Sequence, residues 1–215
     1  MNPPKNFVGR QRELRSALKV LRLNRSLIVE GPFGIGKTTF AKKVATNFES
    51  IALYCSFEDN ALAIVEYLNR QIIKYYRPGG ARLGTQIQKF LKATEGKRAL
   101  IIIDDVWKVT IQKVRFFKRL NENQNCQFIL VSEVRDKSAL LLVKSIAWNN
   151  ETIRLGKLSK EESHALFEVS LNHFKDQKII SVKKLVESCG GYPLGIIETV
   201  RLVQNKSKKY WEMRS

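Results

Sequence analysis

A glycine-rich run between an apolar stretch and a helical pattern constrains this chain more than any other feature. The run extends from Gly31 to Thr38, fits the pattern GxxxxGK[ST], and follows the apolar residues 27–29. A strand, a glycine-rich loop and a helix in this order form a cradle for phosphates, because glycine lets successive backbone N–H groups turn towards an anion. The positive end of the following helix strengthens that attraction. The sequence therefore predicts a site for a di- or triphosphate.

Two side chains of this loop are predicted to act on the ligand. Lys37 would reach the terminal phosphates as a point charge, and the Thr38 hydroxyl would ligate the magnesium that bridges them. The alternative, a glycine-rich turn that binds nothing, leaves the preceding strand unexplained.

Length and composition favour one nucleotide-binding domain and a small second unit. A chain of 215 residues with 44% hydrophobic content can bury one good core and a small additional one. No apolar run approaches the ~20 residues of a membrane span, and the N-terminus lacks the features of a signal peptide. We therefore expect a soluble protein of the cytoplasm. The cysteines share no CxxC spacing, which favours core positions over disulfides or zinc.

The net charge of +18 is the one unusual feature of the composition. Such a charge attracts phosphates in general and is compatible with a nucleic-acid partner. The basic residues are dispersed, however, and many of them lie along the amphipathic pattern of residues 10–23, where a solvated helix face is the simpler interpretation. No zinc finger, aromatic RNA-binding motif or helix-turn-helix accompanies the charge. We expect nucleic-acid binding, if it occurs, to be weak.

Apolar segments alternate with helical patterns along most of the chain. Short apolar runs at 27–30, 51–55, 99–103, 128–131 and 152–155 predict five strands, and the continuous run at 99–103 is typical of a strand buried on both faces of a parallel sheet. This alternation predicts an α/β fold with a doubly wound parallel sheet. After Ser159, a predicted N-cap, the pattern is entirely helical, with helices near 159–169, 179–188 and 194–205. We therefore expect a sheet domain at 1–156 and a helical lid at 157–215.

Two carboxylates follow the most apolar strand. In open parallel sheets ligands bind at the carboxyl ends of strands, so Asp104 is predicted to hold magnesium, directly or through water. Asp105 is placed to orient or deprotonate an attacking water; a structural role as a cap is the alternative. Arg135, beyond the neighbouring strand, is a candidate sensor of the γ-phosphate, and a surface arginine is the alternative there.

Five motifs, in order, are similar to those of the NB-ARC class of STAND NTPases, typified by apoptotic protease-activating factors and plant resistance proteins. They are Phe7 to Arg10 (FVGR), Gly31 to Thr39, Leu100 to Trp107 (LIIIDDVW), Leu158 to Phe167, and Cys189 to Leu194 (CGGYPL). The stretch from Cys126 to Ser138 resembles the apoptotic branch. The resemblance implies a P-loop NTPase fold that binds ATP or ADP with Mg²⁺ and controls assembly, with itself or homologous switch proteins as partners.

The resemblance also implies roles for single residues. Val8 and Arg10 would flank the adenine and ribose, and Pro193 would pack near the adenine from the lid. A proline at the first position of a helix costs no hydrogen bond and offers an apolar face to a base. The alternative is that residues 190–193 only connect two helices. The phosphate loop would contribute its backbone and side chains at Gly31, Gly34, Ile35, Gly36, Lys37, Thr38 and Thr39.

Two departures from the family pattern qualify these expectations. Ser132 to Arg135 replaces the usual Thr-Thr-Arg, with one extra residue, which weakens the assignment of Arg135. The chain ends about 20 residues after Pro193, so we expect no winged-helix domain, and either an excised module or a natural minimal form. Asp105 is one methylene shorter than the glutamate of many related ATPases, so slow hydrolysis is expected.

The leading hypothesis is a nucleotide-operated switch. The alternatives are a DNA-acting ATPase of the origin-recognition or archaeal type, and a truncated, non-enzymatic homologue that interferes with full-length switch proteins.

Overall fold

A computed structural model describes residues 7–57, 59–77, 82–107, 109–122, 124–133, 137–147, 149–171 and 182–212. Within them the chain forms five strands: β1 (Ser26–Glu30), β2 (Ile51–Ser56), β3 (Ala99–Val106), β4 (Cys126–Ser132) and β5 (Asn150–Arg154). The helices of the described residues are α1 (Gln11–Arg22), α2 (Lys37–Thr46), α3 (Ala61–Ile72), α4 (Leu83–Ala93), α5 (Ile111–Leu120), α6 (Lys137–Ile146), α7 (Lys160–Leu171), α8 (Val182–Ser188) and α9 (Pro193–Glu212).

The strands form one parallel sheet in the order β2-β3-β4-β1-β5. The predicted α/β class and the doubly wound parallel sheet are thus confirmed. β1, which leads into the phosphate loop, pairs with β4 on one side and β5 on the other, and all five of its residues are buried. A strand in this position can hold the loop that follows it in a fixed place.

Helices cover both faces of the sheet, and alternate residues of β3 point to opposite cores. Ile101 and Ile103 pack with α3 to α6 on one face. Leu100 and Ile102 pack with α1 and α2 on the other. Burial on both faces explains why this strand reads as a continuous apolar run rather than an alternating one.

Helices α7 to α9 have a small core of their own. Leu166 and Phe167 of α7 pack with Ile196 and Val200 of α9 in a cluster separate from those on the sheet. The predicted N-cap at Ser159 is confirmed, because its hydroxyl accepts a hydrogen bond from the N–H of Glu162 at 3.1 Å. The boundary between 156 and 157 stays a prediction.

Some bounds differ from those expected. β3 continues through both aspartates to Val106, three residues further than its apolar run, and β5 begins and ends earlier than 152–155. α5 and α6 are not among the helices predicted from the sequence. None of the helices in the described ranges has the length and hydropathy that crossing a bilayer requires.

Candidate functional site

The phosphate loop connects the end of β1 with the start of α2. Gly34 and Gly36 adopt positive φ angles of 76° and 88°, which glycine tolerates without strain. Ile35, between them, is fully buried and anchors the loop in the core beneath it. The first N–H groups of α2 therefore open towards the space above the loop, as an anion site requires.

Lys37 folds back onto its own loop. Its Nζ donates hydrogen bonds to the carbonyl oxygens of Gly31, at 2.8 Å, and Pro32, at 2.9 Å. Oε2 of Glu133, at the end of β4, lies 3.9 Å from the same nitrogen. Burial lowers the pKa of Lys37, and the neighbouring carboxylates oppose that shift. The ammonium group is thus held close to the place where phosphates are expected.

Asp104 lies opposite the loop and is almost completely buried. Its Oδ1 accepts hydrogen bonds from the Thr38 hydroxyl and from the Asp105 N–H, both at 3.1 Å. Its Oδ2 accepts from the Tyr54 hydroxyl at 2.8 Å. Desolvation, followed by this bond to Asp104, raises the pKa of Tyr54. Tyr54 therefore fixes the carboxylate so that its other oxygen faces Thr38.

The pair formed by Thr38 and Asp104 fits a magnesium ion. A hydroxyl and a carboxylate oxygen are hard oxygen ligands of the kind that Mg²⁺ prefers, and protein sites usually supply only one or two of them beside water and phosphates. Thr38 Oγ1 and Asp104 Oδ1 are 3.1 Å apart, so one ion can contact both oxygens after a small adjustment.

A cleft of about 470 Å³ opens above the loop. Lys37, Thr38 and Thr39 line one side, Asp105, Val106 and Trp107 line another, and the first residues of α9 close it. Asp105 is exposed and has a positive φ of 56°, a conformation that aspartate adopts more readily than most residues. The bend turns its carboxylate out of the strand and into the cleft.

The start of α9 packs directly on the phosphate loop. The Leu194 N–H donates to the Gly34 carbonyl oxygen at 3.2 Å. A Cβ atom at Gly34 would lie only 3.1 Å from Leu194 Cβ, and one at Gly36 would lie 3.7 Å from Pro193 Cγ. α9 begins at Pro193, as predicted, so the proline sits where its missing N–H costs nothing. The helical unit and the loop thus form one contact surface.

The N-terminal FVGR motif joins the loop to the helical unit. The Arg10 guanidinium is buried, and its Nη2 donates to the carbonyl oxygens of Ile35 and Gly156, both at 2.9 Å. Desolvation lowers the pKa of Arg10, although Glu13 and Glu162 oppose the shift. The backbone N–H of Arg10 donates to Glu162 Oε1 at 2.9 Å. Gly9 has a φ of 74°, which favours glycine, and a Cβ there would lie 2.2 Å from that same oxygen and would displace the Glu162 carboxylate from Arg10.

A second, smaller cavity of about 50 Å³ lies between the motif, the loop and helices α7 and α9. Val8, Arg10 and Pro193, the residues expected around the adenine, all line it, together with Ile35, Leu166 and Ile197. The structure therefore brings these three residues together; their contact with a base stays a prediction. Gly36 and Thr39 line both this cavity and the larger cleft.

One predicted site residue lies outside the described part of the chain, and the structure adds two site residues that were not predicted. Arg135 lies outside the described residues, so its proposed sensor role stays a prediction. Tyr54 and Glu162 were not identified from the sequence as site residues. Tyr54 has no motif of its own, and only the pairing of β2 with β3 brings it to Asp104. Glu162 lies in the first turn after the predicted N-cap Ser159, and that position gives no indication of its contact with Arg10.

The comparison with known families decides the classification. The model of the family described as "AAA domain" (AAA_22) matches residues 21–134, which contain the phosphate loop and both aspartates. The chain belongs to the AAA domain family. The P-loop NTPase class inferred from the motifs is thereby confirmed.

The AAA domain also has curated relatives among plant proteins. "Probable disease resistance protein At4g33300" of Arabidopsis thaliana is 26% identical over 200 residues, which cover 86% of this chain and 22% of that protein. "Disease resistance protein RGA2" of Solanum bulbocastanum is 27% identical over 209 residues, covering 86% of this chain and 21% of that protein. The chain spans about a fifth of the length of these relatives.

Solved structures agree with the fold of the AAA domain. The Aeropyrum pernix ORC1 protein, solved in complex with DNA, superposes with a TM-score of 0.72 at 13% identity, covering 96% of this chain and 62% of that chain. The Thermotoga maritima RuvB Holliday junction branch migration motor gives a TM-score of 0.60 at 15% identity, covering 94% and 65%.

Proposed function

We propose that this AAA domain is an adenine-nucleotide switch, which binds ADP or ATP with magnesium between the sheet and the helices after Ser159. The contact between α9 and the phosphate loop carries the proposal. Pro193 and Leu194 touch the same glycines whose backbone would surround the phosphates. A ligand in the loop therefore lies within reach of the lid.

The phosphates belong in the larger cleft. Lys37 now satisfies its ammonium group with two carbonyl oxygens of the loop. Phosphate oxygens are stronger acceptors for an ammonium group than neutral carbonyls, because both partners carry charge. Lys37 would exchange these bonds for bonds to the terminal phosphates, and Thr38 and Asp104 would hold the magnesium ion. The bound metal would neutralise charge on the phosphates.

Hydrolysis should be slow. Asp105 faces the cleft and is the candidate to orient a water molecule, but its side chain is short for that task. Slow turnover suits a switch, whose output is the state of the bound nucleotide rather than product.

The switching element would be the lid. A ligand shifts a conformational equilibrium only by its different affinity for the two states. The γ-phosphate of ATP would fill more of the cleft that the first residues of α9 close than ADP would. Nucleotide exchange would therefore change the position of the lid on the loop, and with it the surface presented to a second copy or to homologous switch proteins.

Calorimetric titration with ADP and ATP in the presence of Mg²⁺ tests the proposal. Lys37→Ala should weaken binding at least tenfold, about 1.4 kcal/mol, because it removes the charge that faces the phosphates. Lys19→Ala is the matched control, since it removes an exposed lysine from α1, far from the cleft. Equal affinities for the wild type and Lys37→Ala would refute nucleotide binding by this loop.

A further inference from the structure

Three neighbouring helices on one face of the sheet carry basic residues and no acidic ones. α4, α5 and α6 have 11, 10 and 10 residues, with eight Lys or Arg and no Asp or Glu among them. The whole chain has 20 acidic residues in 215, so about three would be expected in these helices. The excess of basic over acidic residues in these helices is therefore larger than the overall composition explains.

The charges lie on the outer surface of this face. α5 lies between α4 and α6, and all three bury their apolar residues against β3 and β4. The exposed cations define what we call the basic face: Lys89, Lys92, Arg115, Lys118, Arg119 and Lys144. A broad surface of like charge repels itself and gains nothing for the fold, so a partner of opposite charge is the natural explanation.

Few acids compensate the basic face. Among the residues that the structure describes, its one ion pair joins Arg119 to Glu122, at 3.9 Å, and both partners are half exposed. An exposed pair of this kind is weak and is screened by salt. The remaining cations of the face have no carboxylate partner within the described part of the chain. The opposite face is also basic, with seven Lys or Arg in α1 and α2, but α1 includes one acid, Glu13.

The uncharged residues around the cations indicate whether an anionic membrane or a nucleic acid fits the basic face better. The exposed surface of these helices contains Gln88 and Gln112 beside the cations. Among the described residues, its large exposed apolar side chains are Ile111 of α5 and Leu141 of α6, one on each helix rather than a row along either. A helix that lies on a membrane needs large apolar residues along its exposed face. A nucleic acid needs only cations and hydrogen-bond donors for its phosphates.

We propose that the basic face binds the phosphate backbone of nucleic acid. Lysine and arginine supply phosphate contacts but no readout of bases from this surface, so binding should depend steeply on salt and little on sequence. The face lies on the side of the sheet covered by α3 to α6, away from the lid, so a nucleotide in the cleft and a nucleic acid can bind at once.

Fluorescence anisotropy with a fluorescein-labelled DNA duplex of arbitrary sequence tests this proposal. One variant removes four charges from the basic face, and the matched control removes four from α1 on the opposite face. The face variant is K89Q/K92Q/R115Q/K118Q, and the control is R12Q/R15Q/K19Q/R22Q. All eight positions are exposed, and unfolding curves of both variants should match the wild type.

The two variants should differ clearly in their affinity for DNA and in its salt dependence. In the face variant, the loss of four phosphate contacts should make the plot of log affinity against log salt less steep by about 3 to 4. The affinity itself should fall by tenfold or more at low salt. The control should retain the wild-type slope and lose less than about threefold in affinity. Equal losses in both variants would mean that net charge alone attracts DNA, and would overturn the proposal.

Two further outcomes would also overturn it. One is unchanged DNA binding by the face variant. The other is loss of binding to phosphatidylserine vesicles, in a flotation assay, without loss of DNA binding, since it would assign the face to an anionic membrane. Neither readout requires nucleotide, so the result is independent of the function proposed for the cleft.

Discussion

The bridge formed by Glu162 should dominate the attachment of helices α7 to α9 to the N-terminal motif. One carboxylate oxygen accepts from the backbone N–H of Ser159, which caps α7, and the other accepts from the N–H of Arg10, both at 2.9 Å. Glu162→Ala removes both bonds and leaves two N–H groups without their acceptor.

The size of the effect follows from these two bonds. Loss of the capping bond should cost about 1 kcal/mol. The bond to Arg10 has a charged acceptor and is partly buried, so its loss should cost about 1.5–3 kcal/mol. The free energy of unfolding should therefore fall by roughly 2–4 kcal/mol, which lowers a urea midpoint by about 1–2 M.

Urea unfolding followed by circular dichroism measures this change. Glu161→Ala is the matched control, because Glu161 is exposed and its carboxylate accepts only from the Ser159 hydroxyl among the contacts described. Its midpoint should stay close to that of the wild type. Equal midpoints for Glu162→Ala and Glu161→Ala would show that Glu162 does not tie the N-terminal motif to the lid.

Further predictions concern the metal site, hydrolysis and the thiols. Tyr54→Phe should raise the Mg²⁺ concentration needed for tight nucleotide binding by about tenfold, because Asp104 loses the bond that orients it. Nucleotide binding measured in EDTA should not change. An equal loss of affinity in EDTA would contradict the role of Tyr54 in orienting Asp104. Asp105→Asn, which suits the same backbone conformation, should reduce phosphate release without weakening nucleotide affinity, and unchanged release would exclude Asp105 as the group that orients water. Burial raises the pKa of Cys55 above its usual range and that of Cys126 to about 12. At pH 8 both thiols are protonated as well as buried, so iodoacetamide should label them only when the protein unfolds. Rapid labelling of Cys55 or Cys126 in the native protein, assigned by peptide mapping because Cys189 is only partly buried, would contradict the described core.

The local parts of the site were predictable from the sequence. The strand, loop and helix around Gly31 to Thr38 follow one another in the chain, so a short pattern contains all the information. The N-cap at Ser159 and the helix start at Pro193 were predictable for the same reason, because each depends on residues within one helical turn.

Contacts between distant segments were not predictable in this way. Tyr54 meets Asp104 only because β2 pairs with β3, and Glu162 meets Arg10 across 152 positions in the chain. Neither contact leaves a periodic pattern in the sequence. Two helices, α5 and α6, were also not predicted. The apolar residues of α6 include a continuous run at 139–143, and a short run of this kind does not distinguish a helix from a buried strand.

Hydrogen exchange with and without ADP and Mg²⁺ tests the central claim most directly, namely that one nucleotide contacts both the phosphate loop and the lid. Ligand at about a thousand times its dissociation constant should stabilise the folded state by roughly 4 kcal/mol. If the ligand joins the two units, protection should rise in parallel at residues 31–39 and 186–200. Protection confined to 31–39 would contradict the claim, and the helices after Ser159 would then not be a nucleotide lid.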